Sequence, residues 1–327
     1  MLYSIIIPVY KNAESIGELI RALADIQLSV RTQFSMDIEA VFVVDGSPDG
    51  SISILDQRLP SAPFRSQLLA HARNFGSFAA IRTGLAAANG EYLGMIAADL
   101  QEPPELLVAF LERLVDNSSD IVVGVRESRE DPMLTQMSSG LFWKIYRSLV
   151  IREIPEGGVD LFACTRQVRD QLLALGESHS SLIGLVYWIG FRRSEVSYTR
   201  RARKYGRSAW TLRKKIDYLL DSIFAFTDLP IRILTILGLA GMLLASVWGL
   251  LVLIARVFGN IPVSGYAATV LTIVFFGGLN TLGIGLVGHY AWRTYENTKR
   301  RPIAIVRYAR HYGPVESPAE RTVDRFG

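Results

Sequence analysis

Asp99 and Gln101 lie directly after Tyr92–Ala98, an apolar run that is typical of a buried strand. A proline pair follows them and predicts the first turn of a helix that ends near Val115. In an open α/β sheet, ligands bind at the carboxyl ends of the strands. Oxygen ligands at such a place suit Mg²⁺ or Mn²⁺ on a diphosphate. The alternative interpretation is that Asp99 only caps the following helix.

Two earlier strand endings carry similar polar turns. The runs Tyr3–Tyr10 and Ile38–Val44 are suited to strands buried on both faces. Further strands and helices alternate with them as far as Val125, which predicts a mostly parallel, doubly wound α/β sheet. The carboxyl ends of parallel strands share one edge, so three turns should meet there: Pro8–Asn12, Asp45–Ser51 and Asp99–Glu102.

Composition separates the chain into two parts. Half of the 327 residues are apolar, and the excess is concentrated between Ile233 and Trp292. Basic clusters at Arg192–Lys215 and Arg293–Arg310 flank this region, which indicates charge at a membrane surface and no nucleic-acid partner. The single cysteine, Cys164, excludes an internal disulfide, fits a reducing compartment and lies in an apolar string typical of a core.

The apolar region predicts two membrane-spanning helices. Its first part, Ile233–Ala255, has 23 residues without a charge, enough to cross a hydrocarbon core of ~30 Å. Lys and Arg flank the two spans, and only Arg256 lies between them, so both termini should be cytoplasmic. Glycine-rich faces on both spans predict close helix packing within the chain or a homo-oligomer.

These patterns divide the chain into six segments. We assign 1–208 to the catalytic domain, 209–229 to an interfacial amphipathic helix, 230–256 and 266–292 to the two transmembrane helices, 257–265 to an extracytoplasmic loop, and 293–327 to a cytoplasmic tail. For 209–229 the alternative is a helix that packs on the soluble domain. The protein is expected in the plasma (inner) membrane as a multi-pass protein with its catalytic domain in the cytoplasm.

Four motifs occur in the order seen in family-2 glycosyltransferases with the GT-A fold. They are Ile7–Tyr10, Val44–Ser51, Arg73–Gly76 and Ala98–Glu105. More narrowly, the chain resembles the polyprenyl-phosphate glycosyltransferases, which include dolichol-phosphate mannose synthase and the bactoprenol glucosyltransferases. The resemblance continues through three shorter matches and covers the chain to about Pro302: Gly124–Arg126, Val159–Asp160 and Arg203–Ser208.

The resemblance implies roles for individual residues. Pro8, Tyr10, Asp45 and Ala98 would belong to the nucleotide-sugar pocket, with Asp45 accepting from the base. Asp99 and Gln101 would bind both the donor and the metal, Mg²⁺ or Mn²⁺. The catalytic residues would be Asp160, Asp99 and Arg126, with Asp160 orienting the acceptor or the sugar. Phosphate groups would be held by Arg126, Arg201, Arg203 and Ser208.

Alternatives remain for these residues. Asp160 is otherwise a turn or cap residue after a glycine pair, and the arginines are otherwise surface charge facing anionic lipid. The chain also departs from the family pattern, with Ala97 and Val44 where an Asp is usual. Mg²⁺ keeps several waters and needs only one or two carboxylates beside phosphate oxygens, so Asp99 alone can suffice.

The expected activity is that of an inverting hexosyltransferase. It would move a sugar from a nucleotide-sugar of the UDP-glucose or GDP-mannose type to a polyprenyl phosphate at the cytoplasmic face of the bilayer, and a separate flippase would move the product across. One alternative is a processive polysaccharide synthase of the same fold, although the Gln-x-x-Arg-Trp motif of those enzymes is absent. The other is a catalytically weak scaffold that binds nucleotide-sugar or lipid, which Ala97 suggests.

Overall fold

The computed structural model describes residues 1–129, 143–144, 146–155, 158–177, 180–202, 204, 212–258 and 265–313. The strands are β1 (Leu2–Val9), β2 (Asp37–Val44), β3 (Arg65–His71), β4 (Tyr92–Met95), β5 (Ile121–Arg129), β6 (Val159–Thr165), β7 (Arg193–Arg200) and β8 (Val306–Tyr312). The α-helices are α1 (Ile16–Phe34), α2 (Ser51–Arg58), α3 (Ser77–Ala87), α4 (Leu106–Val115), α5 (Arg166–Ala174), α6 (Leu182–Trp188), α7 (Leu212–Phe226), α8 (Leu229–Val257) and α9 (Tyr266–Thr298).

The strands form an eight-stranded sheet in the order β7-β5-β6-β4-β1-β2-β3-β8. Strand β1 is parallel to β2 and β4, β2 is parallel to β3, and β5 is parallel to β7. Strands β6 and β8 run antiparallel to their neighbours. The predicted mostly parallel α/β sheet is therefore confirmed. The chain order reverses between β1 and β4, and this reversal creates a crevice at the carboxyl ends of those strands.

Strand β1 shows why its sequence is apolar at nearly every position. Ile5 and Ile7 face one hydrophobic cluster together with Leu19 of α1, whereas Ile6 faces a second cluster together with Leu85 of α3. Successive side chains of a strand point to opposite faces of the sheet. Because helices cover both faces, odd and even positions of the strand must both be apolar. The free thiol of Cys164 is buried in the same core, as expected.

Strand β8 was not predicted, because its residues fall in the segment 293–327 that we assigned to a tail. It pairs antiparallel with β3, from Ser66 opposite Tyr312 to His71 opposite Val306. A carboxylate of α2 holds it from the side. Asp56 accepts hydrogen bonds from Tyr308 at 2.7 Å, from Arg310 at 2.8 Å and from Tyr312.

The apolar region forms the helices α8 and α9. Within the described ranges, one helical stretch is long and apolar enough to cross a membrane, Leu229–Leu251, and almost none of it is buried. The second predicted span coincides with α9, and its crossing stays a prediction. Gly241 serves packing within the chain, since a Cβ added there would lie 2.9 Å from Cε1 of Phe276 on α9. The predicted homo-oligomer is not tested by this contact.

Helix α7 coincides with the predicted amphipathic helix and is tied to α9. Arg293 forms an ion pair with Asp221 of α7. The rings of Phe224 and His289 lie 4.3 Å apart between their centroids. The interfacial position of α7 stays a prediction.

We predict that Asp56→Ala releases β8 from the sheet. Hydrogen bonds from Tyr312 and Tyr308 lower the pKa of Asp56. A carboxylate whose pKa is lowered by folding stabilises the fold above its unfolded pKa, and this stabilisation is lost as the pH falls through the lowered value. The protection factors for hydrogen–deuterium exchange of residues 306–312 should therefore be lower in the variant near pH 7, and should fall in the wild type only in acid.

Asp25→Ala is the matched control, because Asp25 is an exposed carboxylate on α1. It should leave exchange in β8 unchanged. Equal protection of residues 306–312 in wild type and Asp56→Ala would contradict the prediction.

Candidate active site

The three polar turns meet at one edge of the sheet, as predicted, and hydrogen bonds join them. The hydroxyl of Ser15 donates to the carbonyl of Ala98 at 2.7 Å, which links the start of α1 to the turn after β4. The backbone N–H of Ala13 donates to Oδ2 of Asp49 at 3.0 Å, which links the same turn to the one after β2. The edge is thus a single bonded unit.

Pro8 and Tyr10 lie at the end of β1 and are half-buried. The N–H of Tyr10 donates to Oδ1 of Asn12 at 2.9 Å, and Lys11 between them has a φ of 57°. These contacts hold the turn in a tight conformation. Ala98, the third of these predicted pocket residues, ends up 2% exposed in the turn after β4. Contact of Pro8, Tyr10 or Ala98 with a nucleotide-sugar stays a prediction.

Asp45 is buried and holds the loop after β3. Its carboxylate accepts from the N–H groups of Phe75 and Gly76, each at 2.8 Å, and from Nδ1 of His71 at 2.8 Å. Nε2 of His71 in turn lies 2.9 Å from the hydroxyl of Thr83. Both Asp45 oxygens thus have protein donors. A direct contact between Asp45 and a base stays a prediction.

Gly46 follows Asp45 and has to be glycine. Its φ is +57°, and a Cβ there would lie 2.3 Å from the backbone nitrogen of Asn74. The turn after β2 and the loop after β3 therefore touch through their backbones, and a side chain would separate them.

The turn after β4 contains Asp99 and is not a helix cap. Helix α4 begins at Leu106 with Glu105 as its N-cap residue. Asp99 instead accepts from the N–H of Gln101 at 3.3 Å, two residues on. The alternative that Asp99 caps the following helix is therefore wrong, and the carboxylate stays at the strand edge.

Asp160 is a strand residue, so the alternative that places it in a turn is also wrong. It lies on β6 with about a quarter of its side chain exposed, and Arg126 of β5 donates to its Oδ1 at 2.7 Å. The hydroxyl of Tyr198 on β7 donates to Oδ2 at 3.2 Å. A carboxylate with both oxygens engaged is suited to orienting a substrate rather than to removing a proton.

Glu102 and Arg200 form a second charged group beside the first. Glu102 is 1% exposed, and Arg200 at the end of β7 places its Nε 3.2 Å from Glu102 Oε1. Arg200 Nη2 also donates to Oε1 of Gln101 at 3.0 Å. Burial raises the pKa of Glu102 to about 7. The positive charge of Arg200 lowers this pKa, and the negative charges of Asp160 and Asp99 raise it further.

The remaining predicted phosphate ligands are placed differently. The backbone of Arg201 bonds to that of Gln101, with an N···O distance of 2.8 Å. Its guanidinium lies 3.6 Å from Glu105 and is half exposed. Arg203 and Ser208 lie outside the described residues.

The donor types here fit a hard divalent cation only together with substrate oxygens. Asp99 offers a carboxylate, and Gln101 offers an amide oxygen that already accepts from Arg200. Over the described ranges, no group of three or more His, Cys, Asp or Glu side chains is arranged to hold a metal. Mg²⁺ and Mn²⁺ bound at this edge would need phosphate oxygens and water to complete their coordination.

Sequence reasoning missed His71, Glu102, Tyr198 and Arg200. His71 and Arg200 each end a strand at the carboxyl edge, and Glu102 lies three residues after Asp99. A polar residue at a strand end is the signal that could have found His71 and Arg200. Their partners lie far away in the sequence, so only the fold pairs them.

The sheet is GT-A-like, and its carboxyl edge gathers Asp99, Asp160, Arg126 and a glycine turn. Comparison with known proteins agrees. A model of the family described as Glycosyl transferase family 2 matches residues 4–175, more than half of the chain. The protein belongs to glycosyl transferase family 2.

Similar curated proteins extend over nearly the whole chain. The uncharacterized glycosyltransferase YkcC of Bacillus subtilis is 30% identical over 305 residues, 93% of each chain. The bactoprenol glucosyl transferase of Shigella phage SfII is 30% identical over 316 residues, 96% of this chain and 100% of that one. A crystal structure of glucosyl-3-phosphoglycerate synthase from Mycobacterium tuberculosis with Mn²⁺ and UDP-glucose is 15% identical, covers 64% and 72% of the two chains and has a TM-score of 0.44, too low to carry an inference about ligands.

Asp99→Ala is expected to lower kcat/KM for sugar transfer by at least ~10²-fold, comparable to the loss of a preorganised charge-stabilising group. Asp99→Asn should be nearly as severe, because a neutral amide is a weak ligand for a hard cation. The measurement is the steady-state rate of sugar transfer from a labelled nucleotide-sugar to polyprenyl phosphate.

The control is Asp116→Asn, an exposed carboxylate at the far end of α4. It should transfer at the wild-type rate. A folded Asp99→Ala protein with near-normal turnover would show that this carboxylate has no part in the chemistry.

Proposed function

We propose that the protein transfers a hexose, with inversion, from a nucleotide-sugar to a polyprenyl phosphate at the cytoplasmic face of a membrane. The observation that carries this proposal is full-length similarity to a bactoprenol glucosyl transferase, combined with the Asp160–Arg126 pair at the carboxyl edge. The similarity includes the helices α8 and α9 as well as the catalytic sheet. An enzyme whose acceptor is a lipid needs both parts.

The donor side of the reaction depends on neutralising a diphosphate. Asp99 and Gln101 would hold a divalent cation, which supplies Lewis-acid stabilisation of the leaving diphosphate when bound. Asp45 supports the nucleotide side indirectly, since its carboxylate fixes the loop through Phe75 and Gly76.

The acceptor side needs orientation more than it needs a base. A phosphate monoester is anionic at neutral pH, so it can attack the anomeric carbon without losing a proton to the protein. Asp160 suits the orienting role, because Arg126 and Tyr198 hold both of its oxygens. Arg201, with its half-exposed guanidinium, is available to an acceptor phosphate.

Topology follows from the closure of the sheet. The chain leaves the catalytic domain at α7, and β8 returns to the same sheet beside β3. Strands of one sheet lie on one side of a membrane, so this closure supports our proposal that the intervening chain crosses twice. Helix α8 has 29 residues and α9 has 33, about 43 Å and 50 Å at ~1.5 Å per residue, enough for one crossing each.

The experiment that tests the function is incubation of the purified full chain with labelled UDP-glucose or GDP-mannose, polyprenyl phosphate, and Mg²⁺ or Mn²⁺. We expect organic-extractable label that depends on the lipid. Asp160→Asn should abolish transfer while the protein still folds. Long polymer would indicate a processive synthase, and nucleotide binding without turnover would indicate a scaffold, so either result contradicts the proposal. Full activity in excess chelator would remove the metal from it.

The topology is tested with cysteines introduced at Ser264 and Ser208, probed in intact cells with a membrane-impermeant thiol reagent. The native Cys164 is buried, which keeps the background low. Ser264→Cys should be labelled in intact cells, and Ser208→Cys only after permeabilisation. Labelling at position 208 but not at 264 would overturn the orientation.

A further inference from the structure

Arg200 is the best-anchored cationic side chain at the transfer site that the proposed mechanism does not use. It ends β7, and its backbone neighbour Arg201 bonds to Gln101. Its Nη2 donates a hydrogen bond to Gln101, and its Nε lies 3.2 Å from Oε1 of Glu102 in an ion pair that includes no hydrogen bond from that nitrogen. Within the described part of the chain, Nη1 has no hydrogen-bond partner, and 23% of the side chain remains exposed.

Arg200 is surrounded by carboxyl groups at the edge where a ligand would bind. Asp99, Glu102 and Asp160 all act on Arg200. Arg126, which is buried at the same edge, is engaged by Asp160 at 2.7 Å. An anionic diphosphate approaching Asp99 would meet the negative charges of Asp99 and Asp160, and Arg200 would add a positive charge to that of the divalent cation.

Glu102 has the features of a support for that cation. It is 1% exposed, and its second oxygen, Oε2, has no hydrogen-bond partner. A buried carboxylate with an unsatisfied oxygen costs stability, so a hydrophobic residue would serve the fold better. The charged partner of Glu102 is Arg200, and this ion pair keeps Arg200 next to Gln101.

We infer that Arg200 contacts the diphosphate of the nucleotide-sugar donor, with Glu102 as the residue that positions it. The guanidinium would offer its Nη1 face to a phosphate oxygen while Nε and Nη2 keep the contacts seen here. A planar fork that is held on one side is preorganised for a phosphate on the other. This inference rests on the proposed function, since it needs a nucleoside diphosphate in the site.

The test compares UDP with UMP, and GDP with GMP, by titration calorimetry on the full chain in detergent. A residue that contacts the terminal phosphate of the diphosphate affects the diphosphate and spares the monophosphate. Arg200→Ala should weaken binding of UDP (or GDP, whichever the wild type binds) by about 10- to 100-fold, the range for loss of a charge-assisted hydrogen bond. Binding of the matching monophosphate should change less than about threefold by the same scale.

Two further variants separate contact from folding. Arg200→Lys keeps the charge but loses the fork, so its diphosphate affinity should lie between those of wild type and Arg200→Ala. Glu102→Gln keeps the shape but removes the charge that holds Arg200, and should lower diphosphate affinity by a smaller factor, again sparing the monophosphate. Arg192→Ala is the matched control: this exposed arginine precedes β7, about 26 Å away at ~3.3 Å per residue.

The possible outcomes separate a failure of the role of Arg200 from a failure of the proposed function. Suppose that wild type binds the diphosphate. If Arg200→Ala then weakens the binding of diphosphate and monophosphate equally, or leaves the binding of both unchanged, Arg200 does not contact the diphosphate and the inference is wrong. If only the KM for polyprenyl phosphate rises, Arg200 serves the acceptor and the inference is also wrong. If wild type binds no nucleoside diphosphate, the proposed donor fails first, and the role of Arg200 fails with it.

Discussion

The pairing of β8 with β3 is the constraint on which the rest of the molecule depends. It returns the chain to the catalytic sheet after two long, exposed helices, so both ends of the apolar region are attached to one rigid body. The N–H of Ala72 donates to the carbonyl of Ile305 at 2.9 Å, immediately before the loop that Asp45 holds. The apolar helices and the carboxyl edge of the sheet are thus connected through one edge strand.

That constraint also ties the long apolar helices to the catalytic domain. Helix α7 leaves the catalytic domain and α9 returns to it, and the Asp221–Arg293 ion pair joins the two. Stacked rings of Phe78, Tyr146 and Tyr218 connect α7 to the core. A catalytic edge held in this way has a fixed relation to the helices, which an enzyme needs when its acceptor phosphate lies at a bilayer surface.

The buried charges at the carboxyl edge are unlike the rest of the core. Arg126 and Glu102 are both more than nine-tenths buried, and each has a polar atom without a hydrogen-bond partner. Burying charges costs more than a well-packed apolar pair would, so their presence is poorly explained by stability. Buried titratable groups whose pKa values are perturbed by burial and by one another are typical of functional sites. Glu102 fits that description.

Much of the fold was predictable from local pattern. Strands β1 to β5 were predicted within a few residues, since apolar runs with helices on both sides report burial directly. The turns after β1, β2 and β4 were predicted to share an edge, which follows from parallel strands alone. Strand β8 was not predictable, because it lies at the exposed edge of the sheet, and its tyrosines and arginine show no burial pattern until Asp56 is opposite them.

The sequence by itself determined the family and the fold class, because motifs and apolar runs are properties of neighbouring residues. Only the tertiary structure decided the partners: Asp160 with Arg126 and Tyr198, Arg200 with Glu102, and β8 with β3. These partners are separated by 34 to more than 200 residues along the chain. Contacts over such separations depend on the order of strands in the sheet, which no local pattern encodes.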